Sequence, residues 1–207
     1  MQLDNRADGA GPQWFSVADR AGFSRLYDLI GPKLLNYLVA NGMGYQTACD
    51  VVQETFLRVW KRRDELIDDL AQVSGFIFTV ARNYRADLHR KFGRETLQEE
   101  ITDADYERSG ADGAARRDAL PVEQIERDDE RARLKAKIDA ALATLPPVLR
   151  ETFTLFQIGE LSIREIARQT NASETNVKVR IHRAKEKLRA ILADELSAKD
   201  ENSGDKS

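Results

Sequence analysis

Apolar side chains recur at intervals of three and four residues along two long stretches of the chain, which is the spacing of amphipathic helices. The first stretch runs from about Ser16 to Lys91, and the second runs from about Pro121 to Leu196. The sequence shows no alternation of apolar and polar positions typical of strands, and no internal repeat. The pattern therefore predicts an all-α protein made of two small helical bundles.

Helix-breaking residues divide each stretch into several helices. In the first stretch, breaks are expected at Gly31-Pro32, at Asn41-Gly42-Met43-Gly44 and in the polar segment from Asp68 to Ser74. In the second stretch, Leu145-Pro146-Pro147 ends one helix and begins the next. The polar residues 197–207 predict a frayed tail.

The segment between the two stretches has a different composition. Residues 93–120 lose the helical spacing, carry more acidic than basic side chains, and contain the small residues of Ser109-Gly110-Ala111-Asp112-Gly113. Such a segment cannot bury enough apolar surface to fold by itself, so we expect a flexible acidic linker. The predicted organisation is a helical domain at residues 16–92, the linker at 93–120, and a second helical domain at 121–196.

Composition limits the possible functions. The net charge is −3, from 35 acidic and 32 basic side chains, so binding to nucleic acid would depend on local segregation of charge. Cys49 is the only cysteine, which excludes an internal disulfide and favours a reducing, cytoplasmic environment. Whether Cys49 is a packing residue or a redox sensor stays open. The first 13 residues lack the basic-then-apolar order of a signal peptide, and no apolar run approaches the length of about 20 residues that spans a bilayer. We therefore expect no membrane insertion.

The sequence contains no motif that indicates catalysis. It has no Gly-rich phosphate loop, no nucleophile paired with a histidine, and no metal-ligand spacing. His89 and His182 lie in basic helical segments, where a surface position or a DNA contact is the better interpretation. The expectation is a protein that is not an enzyme and that uses no cofactor, no metal and no small-molecule substrate.

Residues 158–181 have the outline of a helix-turn-helix. Ser162 followed by Glu165 forms a capping box, Thr170-Asn171-Ala172 makes the turn, and Ser173 caps a second helix. Residues 162–189 contain eight basic and three acidic side chains, so this part of the chain is positively charged although the whole protein is negative. A basic surface helix in a small bundle is the alternative. The apolar positions of the second helix are expected to face inward; they are Val177, Ile181, Ala184 and Leu188.

Three segments around this motif resemble region 4 of the extracytoplasmic-function (ECF) sigma factors of the sigma-70 family. They are Leu-Pro-Pro-Val-Leu-Arg-Glu-Thr-Phe at 145–153, Glu-Ile-Ala at 165–167, and Val-Lys-Val-Arg-Ile-His-Arg-Ala-Lys at 177–185. The resemblance implies binding to the promoter −35 element. The start of a recognition helix meets base edges and its flanks meet phosphates. The expected −35 contacts are Ser173, Asn176, Lys178, Val179, Arg180 and Arg183.

The segment Asp-Val-Val-Gln-Glu-Thr-Phe-Leu-Arg-Val-Trp at residues 50–60 resembles the part of region 2 that docks on the polymerase clamp helices in the same family. Apolar residues on one helical face would pack, which leaves the other faces free to bind. The packed face is expected to contain Val52, Phe56, Val59 and Trp60. The resemblance implies the RNA polymerase core, through its beta and beta-prime subunits, as a partner. The expected core-polymerase contacts are Asp50, Gln53, Glu54, Leu57, Arg58 and Lys61.

Residues 75–91 resemble the element of the family that opens the duplex and recognises the −10 sequence. Aromatic rings beside basic side chains suit a single strand, since rings stack on bases and cations hold phosphates. Phe76, Ile77 and Val80 are expected in the core, whereas Phe78 and Tyr84 are left open between packing and DNA contact. The expected −10 contacts are Arg82, Asn83, Arg85, His89, Arg90 and Lys91.

Taken together, the two resemblances imply a sigma factor that binds core polymerase and directs it to particular promoter DNA. They also imply control by an anti-sigma factor that covers these surfaces. The alternative is a helix-turn-helix regulator that binds duplex DNA without engaging polymerase.

Overall fold

The computed structural model describes residues 17, 19–92 and 122–203. Within these ranges the chain forms seven α-helices and one short 3₁₀ helix and contains no strand, which confirms the predicted all-α class. The predicted linker at residues 93–120 lies outside the described residues. The helices of the first domain are α1 (Arg20–Ala40), α2 (Tyr45–Lys61), the 3₁₀ helix (Arg63–Glu65) and α3 (Leu70–Phe92). The helices of the second domain are α4 (Val122–Thr144), α5 (Pro147–Gln157), α6 (Ile163–Thr170) and α7 (Glu174–Ser203).

Helix α1 continues through Gly31-Pro32, so the break predicted there is wrong. Pro32 lies on the exposed side of the helix, where the carbonyl that loses its partner can be hydrated. On the opposite side, Leu26, Ile30 and Leu34 are buried before and after the proline. Burial of this stripe outweighs the cost of about 3 kcal/mol for an interior proline.

The other breaks of the first domain lie close to their predicted positions. Gly42 has a φ of +83°, a conformation that favours glycine, and it separates α1 from α2 as expected. The break predicted from Asp68 to Ser74 is too long, because α3 already begins at Leu70. The Asp69 carboxylate accepts hydrogen bonds from the main-chain N–H groups of Ala71 and Gln72, at 2.9 and 3.2 Å. This cap starts the helix earlier than the polar composition suggested.

In the second domain, α5 begins at Pro147 as predicted, because a proline at the first helical position needs no hydrogen bond to its nitrogen. The end of α7 differs from the prediction. The helix continues to Ser203, so a frayed tail from residue 197 is wrong for residues 197–203. No glycine or proline occurs between Thr170 and Gly204, and nothing in that composition stops the helix.

The two domains pack directly on each other, a point that the sequence left open. One cluster of buried side chains extends from α1, α2 and α3 into α5, α6 and α7. Phe78 is fully buried in it, with its ring 5.4 Å from the ring of Tyr37. A β-carbon at Gly159 would lie 3.2 Å from the Phe78 ring, so the glycine allows a close approach of the second domain. Phe78 is therefore a packing residue between the domains.

Candidate promoter and polymerase interfaces

The helix-turn-helix consists of α6 and α7. The Ser162 hydroxyl accepts from the main-chain N–H of Glu165 at 3.2 Å, and the Glu165 carboxylate accepts from the main-chain N–H of Ser162 at 2.9 Å. This is the predicted capping box. Asn171 adopts the left-handed conformation that ends α6, and the Ser173 hydroxyl accepts from the main-chain N–H of Asn176 at 3.2 Å. Each local feature predicted for the motif is confirmed.

The two faces of α7 separate apolar from polar side chains as predicted. Val177, Ile181 and Ala184 are buried, and Leu188 packs against the smaller apolar cluster of the second domain. The six side chains expected to contact the −35 element all lie outside this core. They are the exposed residues Ser173, Asn176, Lys178, Val179 and Arg183, and the half-buried Arg180. The recognition helix thus presents a polar, largely basic surface.

Ser162→Ala is expected to lower the free energy of unfolding by about 1 kcal/mol, because α6 loses the cap on its first turn. Urea denaturation of the full chain, followed by circular dichroism, measures the change. Ser24→Ala is the matched control. Ser24 is exposed in the interior of α1, where alanine is at least as favourable as serine. Equal stability of the two variants would contradict the role given to the cap.

The six side chains expected to contact polymerase lie along one side of α2. Val51, Val52, Phe56 and Val59 occupy the opposite, buried side, and Trp60 is half-buried against the Phe23 ring. Among the six, Asp50, Gln53, Leu57 and Lys61 are exposed, and Glu54 and Arg58 are half-buried. We call this set the α2 face.

The α2 face contains one exposed apolar side chain, Leu57, and one charged pair of fixed orientation, Arg58 and Glu54. Leu57 is an apolar side chain that remains 54% exposed in the middle of the face. The Arg58 Nε donates to the Glu54 carboxylate at 2.8 Å, and its guanidinium lies 4.2 Å from the centre of the Tyr84 ring. Tyr84 is therefore half-buried beneath Arg58. The accessible side of α2 therefore combines one exposed apolar group with a charged pair of fixed orientation.

The six side chains expected to contact the −10 element do not form a single surface. Asn83, His89, Arg90 and Lys91 are exposed, and Arg90 pairs with Asp87. The remaining two, Arg82 and Arg85, are half-buried. Helix α3 therefore divides the predicted set between solvent and the second domain.

Arg82 connects α3 to the second domain through two partners. Its Nε donates to the Glu151 carboxylate at 2.9 Å, and its Nη1 donates to the main-chain oxygen of Gln169. The Tyr37 hydroxyl also donates to Glu151, at 3.4 Å. Burial raises the pKa of the Tyr37 phenol far above its ordinary value, and the Glu151 carboxylate raises it further. The Tyr37 hydroxyl therefore stays protonated at physiological pH and donates a hydrogen bond to Glu151.

Sequence reasoning missed Glu151 and Gln169 as partners of the −10 segment. Both lie in stretches that were assigned to region 4, and 69 and 87 residues separate them from Arg82. No local spacing indicates a contact over such a distance. Only a prediction that the domains close on each other could have found these residues.

Further polar contacts fix the same arrangement. The Gln169 Nε2 donates to the main-chain oxygen of Gly75 at 3.0 Å, and Asn41 Nδ2 donates to the Thr154 hydroxyl at 2.9 Å. Lys33 Nζ donates to the Glu160 carboxylate at 2.6 Å. A cavity of about 650 Å³ lies between the segment that follows α2 and helix α6. The domains therefore do not contact each other along this part of their boundary.

The remaining residues of interest are Cys49 and His182. Burial raises the pKa of the Cys49 thiol, which is hydrogen-bonded to Tyr45 and lies beside Asp50, so little reactive thiolate is present at neutral pH. His182 is exposed and lies 3.4 Å from Glu186 on the same helix. No group of three or more potential metal ligands occurs in the described part of the chain. None of the described helices is long and apolar enough to cross a membrane.

Two helical domains, one of which contains a helix-turn-helix with exposed basic side chains, define a class of DNA-binding proteins. Comparison with known proteins narrows this class. Residues 26–95 match sigma-70 region 2, and residues 135–188 match sigma-70 region 4. The ECF RNA polymerase sigma factor RpoE of Cereibacter sphaeroides is 29% identical over 175 residues, which span 84% of this chain and 88% of that protein. The RNA polymerase sigma factor CnrH of Cupriavidus metallidurans is 32% identical over 151 residues, which span 69% of this chain and 72% of CnrH.

Solved structures support the same relationship. CnrH in complex with the cytosolic domain of CnrY superposes with a TM-score of 0.55 and 25% identity, over 85% of this chain and 90% of CnrH. The sigma factor RpoE of Bartonella quintana, in complex with the anti-sigma factor NepR, gives a TM-score of 0.56 at 21% identity, over 83% of this chain and 96% of that one. The second likeness shows the fold alone. The chain belongs to the ECF sigma factors of the sigma-70 family and is a factor of promoter-specific transcription initiation.

Proposed function

We propose that the two domains of this sigma factor divide the work of initiation. The domain at residues 16–92 binds core polymerase and the −10 element, and the domain at residues 121–196 binds the −35 element. The observation that carries the proposal is the α2 face, where six residues selected by resemblance lie along one accessible side of one helix. The opposite side of the same helix is buried in the bundle, so these six side chains remain available to a partner.

For core polymerase, the α2 face offers an apolar centre and charged surroundings. Leu57 would be buried in the complex, and Glu54 and Arg58, already held together at 2.8 Å, would enter it in a fixed orientation. Asp50 and Lys61 lie at the two ends of the α2 face, where they would pair with opposite charges on core polymerase.

For promoter DNA, each domain contributes a basic helix. Asn176, Lys178, Val179 and Arg183 on α7 are accessible to base edges and phosphates of duplex DNA. On α3, Asn83, His89, Arg90 and Lys91 are accessible to a DNA strand, while Arg82 and Arg85 would become accessible when the domains separate.

The proposal includes a regulator and a cellular location. The Bartonella quintana relative is bound to an anti-sigma factor. A regulator of this chain would have to cover the α2 face or hold the two domains together. The sigma factor would act in the cytoplasm, where polymerase is found, and polymerase rather than this chain would perform the chemistry of RNA synthesis.

Glu54→Lys is expected to weaken binding to core polymerase by about tenfold, because it reverses a charge inside the proposed interface and removes the partner of Arg58. A pull-down of the full chain with core polymerase, titrated to give a dissociation constant, measures the loss. Circular dichroism should show unchanged helix content, since exposed ion pairs on helices contribute only about 0.3–0.5 kcal/mol.

Asp64→Lys is the matched control. Asp64 is exposed in the 3₁₀ helix outside the α2 face, and the same charge change there should alter affinity by no more than about twofold. Equal losses for the two variants, or an unchanged affinity for Glu54→Lys, would disprove the assignment of the α2 face.

A further inference from the structure

Arg82 is a proposed DNA contact that also takes part in the packing between the two domains. It belongs to the residues proposed to contact the −10 element, yet it donates hydrogen bonds to Glu151 and Gln169, which both lie in the second domain. The Arg82 side chain is 31% exposed, and that of Glu151 is 24% exposed. The carboxylate and the carbonyl engage two of the five N–H donors of this arginine and hold its side chain at the second domain.

The Glu151 carboxylate accepts hydrogen bonds from two side chains of the other domain. It lies on α5 and accepts from Arg82 on α3 and from Tyr37 on α1. Both donors belong to the first domain, while the acceptor belongs to the second. The carboxylate therefore bridges the two domains and does not stabilise either domain alone.

The surroundings of Glu151 contain more positive charge than one carboxylate neutralises. Arg82 and Arg85 both act electrostatically on the Tyr37 phenol, and Arg85 also acts on Arg150, whose pKa is lowered first by burial and then by that neighbour. Among the described residues, the buried Nη1 of Arg85 and the buried Nε of Arg150 have no hydrogen-bond partner. Buried donors without partners are costly, so the cluster retains affinity for a further anion.

The contacts around Arg82 fix how the two domains are oriented, but they leave the domains able to separate. The hydrogen bonds from Gln169 to Gly75 and from Asn41 to Thr154 fix the orientation of the domains. The cavity between α6 and the segment after α2 leaves part of the contact open. Opening would release the arginines for a strand that carries several phosphates, so that more than one anionic group could bind in place of the single Glu151 carboxylate.

We propose that Glu151 is an internal latch, which holds Arg82 in place of a promoter phosphate and keeps the free sigma factor closed until DNA, polymerase or both displace it. The inference rests on the proposed role of Arg82 at the −10 element. It adds that the second domain of this chain competes with DNA for the same side chain, before any regulator is bound.

The test uses the full chain without polymerase and a fluorescein-labelled single-stranded oligodeoxynucleotide of random sequence. Glu151→Gln keeps the size of the side chain and removes its charge. The variant is expected to bind the oligonucleotide about three- to tenfold more tightly, because a larger fraction of the molecules is open. Small-angle scattering of the same protein should show a larger radius of gyration. Fluorescence anisotropy at constant ionic strength gives the dissociation constants.

Two further variants separate the possible explanations. Glu160→Gln removes the other charge that links the domains, its pair with Lys33, without touching Arg82, and should change DNA affinity by less than about twofold. Arg82→Gln combined with Glu151→Gln should lose the gain in affinity. An unchanged radius of gyration and unchanged affinity for Glu151→Gln overturn the latch. A larger radius with a gain that survives removal of Arg82 overturns the role of Arg82 at DNA instead.

Discussion

Lys178→Glu is expected to reduce promoter-directed transcription by about 5- to 150-fold, which corresponds to the loss of about 1–3 kcal/mol for one contact at a base. Lys178 is exposed one residue after the buried Val177, in the first half of the recognition helix. The substitution removes a donor from the groove and places a carboxylate near phosphates. The core of the domain is not changed, so the variant should fold. Run-off transcription with core polymerase on a genomic promoter library measures the effect.

Lys187→Glu is the control on the same helix. Lys187 is exposed more than two turns further along α7, where contacts to phosphates carry no sequence information. The reduction in transcription caused by Lys187→Glu should therefore be smaller and similar for all promoters, and this reduction should be greater at low salt. Lys178→Glu should also change the order in which promoters are used. Equal and uniform losses for the two variants would mean that α7 does not recognise bases at this position.

The helix-turn-helix could be predicted from the sequence because its rules are local. Ser162 and Glu165 stand three residues apart, as a capping box requires, and Asn171 tolerates the left-handed conformation that ends α6. The buried positions on α7 follow from the spacing of Val177 and Ile181 alone. For α2, the spacing predicted which side of the helix is buried, whereas the resemblance to region 2 selected the residues of the α2 face.

Helix boundaries were less certain where tertiary burial competes with local preference. Pro32 should interrupt α1 by propensity, but the buried residues on both sides of it keep the helix continuous. The polar composition of residues 197–203 suggested a tail, although the same residues extend α7. At Pro32 the sequence contains a breaking tendency that nothing local could weigh against the packing, whereas residues 197–203 contain no glycine or proline that would end a helix.

The contact between the domains could not be predicted, because no short-range pattern encodes it. Arg82 and Arg85 were grouped with Asn83 and Arg90 through the resemblance to the family's −10 element, while the structure pairs Arg82 with Glu151 and places Arg85 near Arg150 in the second domain. Phe78 has the sequence properties of a stacking ring and the burial of a core residue. Its role depends on Gly159, a residue 81 positions later that leaves room for the ring.

Phe78→Ala is expected to lower the free energy of unfolding by about 3–5 kcal/mol, because it removes a fully buried ring that packs against Tyr37 and beneath Gly159. Urea denaturation of the full chain measures the loss, and Phe78→Leu should cost less because it leaves a smaller cavity. The substitution Phe76→Ala is the matched control, since that ring in the same helix is only half-buried. If Phe78 were instead a stacking platform for DNA, Phe78→Ala would leave the unfolding free energy unchanged and weaken binding to single-stranded DNA. A packing residue gives a loss of stability at every DNA concentration, including zero.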